Sequence, residues 1–464
     1  MKQQVFFRYT AMILLVSWML AACKVTRPYT GPQTDTNGLY RDGSGADTNT
    51  IANLPYTAVF TDTVLQRLIA EGITQNLDLR VAYTRIQQSQ AYYTQARAAF
   101  LPTLSANAGV TESKLSDVQG FGIRTSLSQF QLGVASSWEA DVWGRLRSNR
   151  RASLAALLQT EAAARAVQTG IVSTIASYYY TLLALDQQLV ITRETVRNWD
   201  STVAVLRALK EAASVTEAAV VQSEAQRYAA EVTIPDLKQN IRETEHALSI
   251  LLARPPGPIE RSSLEGQQAL ALLQTGVPAQ LLANRPDVQQ AEFAYRNAFE
   301  LTNVARTAFY PALAITGSAG LNSLSLAQFI DPSALAASIG VGLTQPIFNR
   351  RLNRTNLAVA QAGQQAALYD FRKALLNAGR EVSDALSLHA TALEKMSVRT
   401  NQLSALEKSV AYTQELLQYG FANYNEVIIA RQSLLGAQLG GVNDRLQQLQ
   451  ATVNLYRSLG GGWK

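Results

Sequence analysis

From about Gly144 to Glu211 the chain contains no proline, and one set of residues recurs at alternating steps of four and three: Ile171, Ile175, Tyr178, Leu182, Leu185, Leu189, Thr192, Val196, Trp199, Val203 and Leu206. A seam of that period, held over five repeats, is the pattern of left-handed coiled-coil packing. At 1.5 Å per residue a helix of this length extends about 100 Å, far beyond any globular domain. A second proline-free stretch, from about Asn349 to Tyr419, carries a weaker seam in Val382, Leu386, Leu393, Met396, Leu403, Val410 and Leu417. Each long helix meets a break, AASVTE at 212–217 and GFANYN at 420–425, and a returning helix follows. The C-terminal return keeps its own seam in Leu435, Leu439, Val442, Leu446, Leu449, Val453 and Tyr456. With only 13 Pro and 27 Gly in 464 residues, the composition favours helix throughout.

A repeated local pattern precedes each long helix. Residues 96–111 read ARAAFLPTLSANAGVT and residues 305–320 read ARTAFYPALAITGSAG, with the proline in the same place. After each proline the period changes from helical to two. Leu104, Ala106, Ala108 and Val110 alternate with small polar residues, as do Phe130, Leu132 and Val134. In the second copy Leu313, Ile315 and Leu321, then Leu335, Ile339, Val341 and Leu343, do the same. This predicts four strands in two hairpins, at about 100–142 and about 309–348. A soluble sheet with one wet face gives the same alternation. Strands near ten residues long, a polar face of Ser, Thr, Asn and Gly, and aromatics at the strand ends lean towards a membrane barrel. Phe100, Trp138, Trp143, Phe309, Tyr310 and Phe348 are the expected interfacial girdle. Four strands cannot close a barrel, the smallest of which have about eight, so a barrel needs several chains.

The N-terminus has the layout of a secretory signal: Lys2 and Arg8, an apolar run from Ala11 to Leu20, then Leu20-Ala21-Ala22-Cys23. The small residues before Cys23, the only cysteine, resemble a bacterial lipobox, which makes Cys23 the expected lipidation site at the membrane. Lys24 follows, rather than the Asp that retains many lipoproteins at the inner membrane, so by analogy the destination is the outer membrane. Residues 1–22 thus read as a signal peptide and 23–61 as an extended lipidated tether. Removing Lys2 and Arg8 lowers the formal net charge of +6 by two, leaving a weak field for so long a chain. No run of Lys and Arg interleaves with aromatics, and nucleic acid is not expected as a partner.

Between the two halves, 62–253 and 278–457, lies a Pro-rich joint at 254–277, entered through LLARPPGPIERSSLEG at 251–266, which cannot continue a helix. Residues 458–464 form a tail. Each half then reads as half helix, hairpin, full-length helix, turn and half helix. The fold class expected is mainly α with a β-barrel contribution, from a two-fold internal repeat.

The chain resembles the TolC superfamily, the outer-membrane channels of tripartite efflux and type I secretion systems, and most closely its OprM- and NodT-like lipoprotein branch. The motifs that carry the resemblance are LQRLIAEGITQNLDLRVAYTRIQQSQAYYTQARAAFLP, LLARPPG, LLANRPDVQQAE, LLQYGFANYNEVIIARQSLLGAQL and LYRSLGGGWK. The resemblance implies a homotrimer whose strands form one twelve-stranded barrel, continued by a twelve-helix periplasmic tunnel with an equatorial belt, here the Pro-rich joint and the tail. It places Pro102, Pro311 and Pro346, with Trp143 and Phe348, where barrel meets tunnel. It implies as partners a periplasmic membrane-fusion adaptor, an inner-membrane pump of the resistance-nodulation-division type and outer-membrane lipid. The helical tips would form the periplasmic aperture. Glu426 matches the first of two acidic positions there, Ile429 departs from the second, and Glu217 is the acid in the first tip. Adaptor contacts are expected at Val215, Thr216, Gly420, Phe421 and Asn423. The function implied is a passive efflux conduit for drugs or other small molecules. A type I protein secretion channel and a non-conducting periplasmic scaffold are the alternatives.

Catalytic chemistry finds little support. Glu243 and His246 form an E-x-x-H, the spacing of di-iron bundles, but Leu386 stands three residues before His389, so the second copy is absent. His389 falls on the seam and reads as a packed, satisfied imidazole. No cofactor, metal site or catalytic residue is expected, and a mature chain with one Met and two His gives no support to a metal-selective lumen.

Overall fold

The structure is a computed structural model that describes residues 25–34, 36, 38–41, 50–114, 126–268, 275–276 and 278–464. Cys23, the signal peptide and the first hairpin's loop lie outside the described residues. In chain order the main elements are α1 (Thr63–Gln75), α2 (Leu77–Ala98), β1 (Thr103–Lys114), β2 (Ser126–Ala140), α3 (Arg145–Glu211), α4 (Glu217–Glu231), α5 (Thr233–Leu251), α6 (Pro286–Thr307), β3 (Ala312–Ser323), β4 (Leu335–Thr344), α7 (Leu352–Gln418) and α8 (Tyr424–Ser458). Both long helices, α3 and α7, contain 67 residues.

Two compact units are built from alternating parts of the chain. The first combines residues up to Gln33 with Ile86–Thr160 and Ala291–Phe371, and the second combines Thr34–Arg85, Glu161–Gln290 and Arg372–Lys464.

In the first unit all four strands join one antiparallel sheet in the order β1-β2-β3-β4. The two hairpins pair with each other through β2 and β3, from Phe130↔Ser323 to Ala140↔Leu313. The adjoining helix ends are tied side to side. Ser89 of α2 meets Thr160 of α3 at 3.1 Å, and the Arg151 Nε of α3 donates to the buried Glu300 of α6 at 2.7 Å. Thr302 of α6 donates to the Ala360 carbonyl of α7 at 3.1 Å.

In the second unit α3 is buried on more than one stripe. Ile175, Leu182, Val196, Trp199, Val203 and Leu206 of the expected seam are buried, but so are Val172, Ala176, Tyr179, Tyr180 and Leu183, while Tyr178 and Leu185 are only half-buried. The Pro-rich joint covers part of the additional face, at Tyr179, and the C-terminal tail another part, where a Cβ on Gly462 would lie 3.4 Å from Val172. Asp62 caps α1 by accepting from the Val64 amide at 2.8 Å, and its other oxygen accepts from Tyr179 at 2.6 Å, Gln267 at 2.8 Å and Ser262. Arg261 of the joint pairs with Asp186 and Glu245. On α7 the weaker seam slips: Leu393 is exposed and Ala392 beside it is fully buried.

Two predicted helices are broken. The half helix that opens the first half, between residue 62 and the hairpin at about 100, divides at Asn76, whose backbone leaves the helical region (ψ 129°). The Asn76 side chain replaces the lost contacts by accepting from the Leu79 amide at 3.1 Å and donating to the Leu251 carbonyl at 2.9 Å. The first return divides at Val232 into α4 and α5. Pro235, which has no amide hydrogen and crowds the carbonyl four residues back, accounts for the break. The α8 return has no proline and runs unbroken for 35 residues.

The expected extended tether holds only in part: its described residues up to Arg41 have no regular structure, but Ile51–Asn53 and Tyr56–Val59 form short helices, and the segment is pinned. In the first unit the Asn303 amide holds the Arg27 backbone at both ends, 3.1 Å to its N–H and 2.9 Å to its carbonyl. Tyr29 packs edge-on against Phe299. In the second unit Tyr40 is buried and the Arg41 amide donates to Ser383 at 3.2 Å.

Candidate functional site

The register decides what the sheet presents. Val110 stands opposite Phe130, and Ala108, Leu132, Leu321 and Leu335 form one row across all four strands. Trp138, Ile315 and Val341 form another, as do Ala140, Leu313 and Leu343. Every apolar residue of the predicted alternation therefore lies on one continuous face. The opposite face carries rows such as Ser105, Ala135, Ser318 and Ser338, and Asn107, Gly133, Gly320 and Ala336. In the second of these the strands approach so closely that a Cβ on Gly320 would lie 2.4 Å from the Gly133 Cα. Within one chain the outer edges of β1 and β4 have no strand partner among the described residues.

The predicted junction residues meet at one end of this sheet. Pro102 immediately precedes β1, Pro311 precedes β3 and Pro346 lies two residues past the end of β4, where a residue without an N–H can end a ladder. Trp143, just past β2, donates from Nε1 to the Pro311 carbonyl at 2.8 Å and stacks on Tyr310 with centroids 5.0 Å apart. Trp138 donates to the Phe100 carbonyl at 2.8 Å, and Phe348 is 85% exposed. The chain turns from β4 into α7 through left-handed backbone at Arg350 and Arg351 (φ 53° and 65°).

The two predicted tips also share a place. Val215, Thr216, Gly420, Phe421 and Asn423 all line one open cleft between them. Each tip closes with the same bonds. Behind α7, Phe421 N–H reaches the Leu416 carbonyl at 2.9 Å and Gly420 N–H the Leu417 carbonyl at 3.1 Å, with Gly420 left-handed at φ +77°. Behind α3, Ser214 reaches Leu209 at 2.8 Å and Ala213 reaches Lys210 at 2.9 Å, but the left-handed residue is Ala213, φ 56°. Asn423 caps α8 in a capping box with Glu426, whose side chain accepts from the Asn423 amide at 3.4 Å. Glu426 and Ile429 are exposed and lie three residues apart, on one helix face. Glu217 is ion-paired with Lys210 across its own turn.

Electrostatics concentrate in the second unit. Burial alone would raise the Asp62 carboxyl, but hydrogen bonds from Ser262, Tyr179, Gln267 and the Val64 amide hold it below the ordinary carboxylate range. Burial pushes the Tyr179 hydroxyl up to about 12, with the Asp62 hydrogen bond adding to the rise. Arg285 is withdrawn from solvent, which opposes its charge, yet Asp287 and Glu381 outweigh that cost. The same guanidinium donates to the Ser458 carbonyl at 2.9 Å. His389 does not meet the expectation of a satisfied imidazole: its Nε2 is shielded and has no hydrogen-bond partner, and desolvation lowers its pKa. Among the described residues no group of three His, Cys, Asp or Glu is arranged to hold a metal, and no helix is long and apolar enough to cross a membrane.

The family model for "outer membrane efflux protein" matches residues 68–254 and 277–461, one match for each half. The chain belongs to the outer membrane efflux protein family. Among curated outer membrane efflux proteins, it is 29% identical to the toluene efflux pump outer membrane protein TtgI of Pseudomonas putida, over 98% of this chain and 99% of that one. It is 27% identical to the cation efflux system protein CusC of Escherichia coli, over 97% and 98%. The open-state structure of the Neisseria gonorrhoeae MtrE outer membrane channel superposes with a TM-score of 0.85 at 24% identity, covering 95% of this chain and 99% of that one, which establishes the shared fold. The family places the chain in the outer membrane of a Gram-negative cell, with the mainly helical, part-strand fold expected of it.

The motifs by which this outer membrane efflux protein is recognised also explain each other. LLANRPD and LGGGW touch: Trp463 Nε1 donates to the Asn284 carbonyl at 3.0 Å and Lys464 Nζ to the Asn284 side chain at 2.8 Å. A Cβ on Gly460, left-handed at φ +89°, would stand 2.3 Å from that same carbonyl. The sequence does not mark Arg285, Asn284 or Asn76 individually. The X-Pro step at Arg285-Pro286 and an Asn in mid-helix were the signals present.

Proposed function

We propose that this protein is a lipid-anchored homotrimeric conduit that passively carries drugs or other small molecules out of the cell. The cargo is delivered by an inner-membrane pump of the resistance-nodulation-division type and a periplasmic adaptor. One observation carries this reading: a four-stranded sheet with one continuous apolar face, one small polar face and two free edges. Such a sheet is too narrow to close on itself, and closing it with copies of the same sheet leaves no edge bare. The named relatives handle toluene and cations, so the cargo is stated as a class. The chain supplies no catalytic step, and the driving energy comes from the pump.

In this reading Cys23 carries the lipid, and the tips are the periplasmic aperture. Three copies of Glu426 would ring it with carboxylates, three copies of Ile429 would resist wetting, and Glu217 would brace the first tip through Lys210. Adaptor docking falls to the cleft of Val215, Thr216, Gly420, Phe421 and Asn423. The junction residues Pro102, Pro311, Pro346, Trp143 and Phe348 hold the barrel to the helices.

Single-channel recording in planar bilayers tests the conduit. Purified protein should run as a heat-modifiable trimer and give discrete conductance steps. A monomer without heat-modifiable strand structure, or a silent bilayer, would instead fit a scaffold and sink the proposal. Glu426→Gln should reduce cation preference at the aperture; an unchanged preference would leave Glu426 only its capping role.

A further inference from the structure

We propose that the outer membrane efflux protein carries a binding site for anionic phospholipid headgroups, formed by Arg350, Arg351 and Arg354 where the sheet's apolar face ends beyond β4, with Arg150 a further exposed charge at the same end of the sheet beside β1. The inference rests on reading that sheet as the bilayer-spanning part.

Both long helices begin with arginines immediately after a hairpin: RLRSNRR at 145–151 and NRRLNR at 349–354. Neither has an acid in its first turn, although acids are what the positive end of a helix favours. In α3 three of the four are neutralised internally, Arg145 by Glu139, Arg147 by Asp141 and Arg151 by Glu300. The fourth, Arg150, has no carboxylate partner among the described residues and lies 5.5 Å over the Phe100 ring. The second run has no internal compensation. Arg350, Arg351 and Arg354 are the only charged residues between Asp331 and Asp370, all three are exposed, and none has an ion-pair partner among the described residues.

Their height and surroundings select the ligand. Trp138 lies on the apolar face, in the row of Ile315 and Val341, and donates to the carbonyl of Phe100, the residue under Arg150. Arg150 therefore stands beside the aromatics that end that face. Pro346 to Arg351 follow β4 at the same end of the sheet, and the two residues before Asn349, Ile347 and Phe348, are 100% and 85% exposed. Exposed apolar and aromatic side chains at the foot of a bilayer-facing sheet, followed at once by uncompensated guanidiniums, match the acyl-to-phosphate boundary of a leaflet. Guanidinium forks suit phosphate oxygens. Each basic residue at an anionic surface strengthens attachment roughly fivefold.

Native mass spectrometry of the full assembled protein in detergent tests this, with phosphatidylglycerol and phosphatidylcholine of matched acyl chains as probes. The unsubstituted protein should retain phosphatidylglycerol preferentially. The triple variant Arg350→Gln, Arg351→Gln, Arg354→Gln should lose affinity for it on the order of a hundredfold. The corresponding triple Lys variant should keep most of it, and Arg193→Gln, an exposed arginine of α3 elsewhere, should change nothing. Equal retention of the two lipids, or undiminished phosphatidylglycerol in the Gln variant, would overturn the proposal. So would dissociation of the assembly in the Gln variant, which would mean that these arginines pair with acids of a neighbouring copy. Bilayer conductance of the unsubstituted protein is a separate readout, and its absence counts against the channel reading instead.

Discussion

Asp62 shows how one side chain organises several segments of this fold. It starts α1 as an N-cap and at the same time receives the hydroxyls of Tyr179 and Ser262 and the amide of Gln267. Its folded pKa lies below the unfolded value of about 3.9, so the unfolded state binds the proton more readily. The stability it contributes is therefore complete above that value and is lost as pH falls through the folded pKa. The denaturation midpoint of Asp62→Asn should lie below that of the unsubstituted protein by a constant gap from pH 5 to 8, and the gap should close below about pH 4. Circular dichroism across that range reads it directly. Arg285 is a sharper case, because its buried fork serves Asp287, Glu381 and the Ser458 carbonyl together. Arg285→Leu should cost about 2 kcal/mol in chemical denaturation, since hydrogen bonds to charged groups are lost and acceptors are left behind. Arg285→Lys should recover little, because an ammonium cannot reproduce the fork. The motif around Arg285 was visible in the sequence, but its partner at Ser458 lies far along the chain, and a single sequence carries no record of that contact.

The helical tips show how similar turns can differ in local cost. Gly420 and Ala213 occupy the same left-handed position behind α7 and α3. Only Gly adopts that backbone without a steric penalty, which for other residues is roughly 1–2 kcal/mol. Ala213→Gly should therefore stabilise the first tip and Gly420→Ala destabilise the second by about 1 kcal/mol, once the greater freedom of Gly in the unfolded chain is discounted. Hydrogen exchange of the tip amides measures both. At this scale the sequence was legible where a period persists: both 67-residue helices and all four strands fall where their patterns put them. It was less legible where one residue overrides a period. Asn76 breaks a helix because its side chain can substitute for the lost backbone bond, and Pro235 breaks another through a steric clash. The widened buried face of α3 was hidden for a different reason, since it depends on the Pro-rich joint and the C-terminal tail folding against it.

At the scale of the whole molecule, the two faces of the sheet predict opposite outcomes for one substitution. Ile339→Arg, midway along β4 on the apolar face, should cost roughly 2–4 kcal/mol in the bilayer and deplete the heat-modifiable assembly in outer-membrane fractions. Ser338→Arg, one residue away on the polar face, should leave assembly intact and lower single-channel conductance. Equal tolerance of the two would mean the faces are misassigned. The pairing of β2 with β3 was not expected from the alternation, which specifies hairpins but not their neighbours, and it sets the order of events during folding. Each hairpin can form from local contacts, whereas β2 and β3 meet only after the chain has closed a loop of roughly 170 residues, a slow step by topology alone. Until that loop closes, the newly exported polypeptide exposes four bare hairpin edges rather than two. The interval before α3, its return helices and α6 have brought β3 back to β2 is then when the protein is most exposed to aggregation, and when a periplasmic chaperone would matter most.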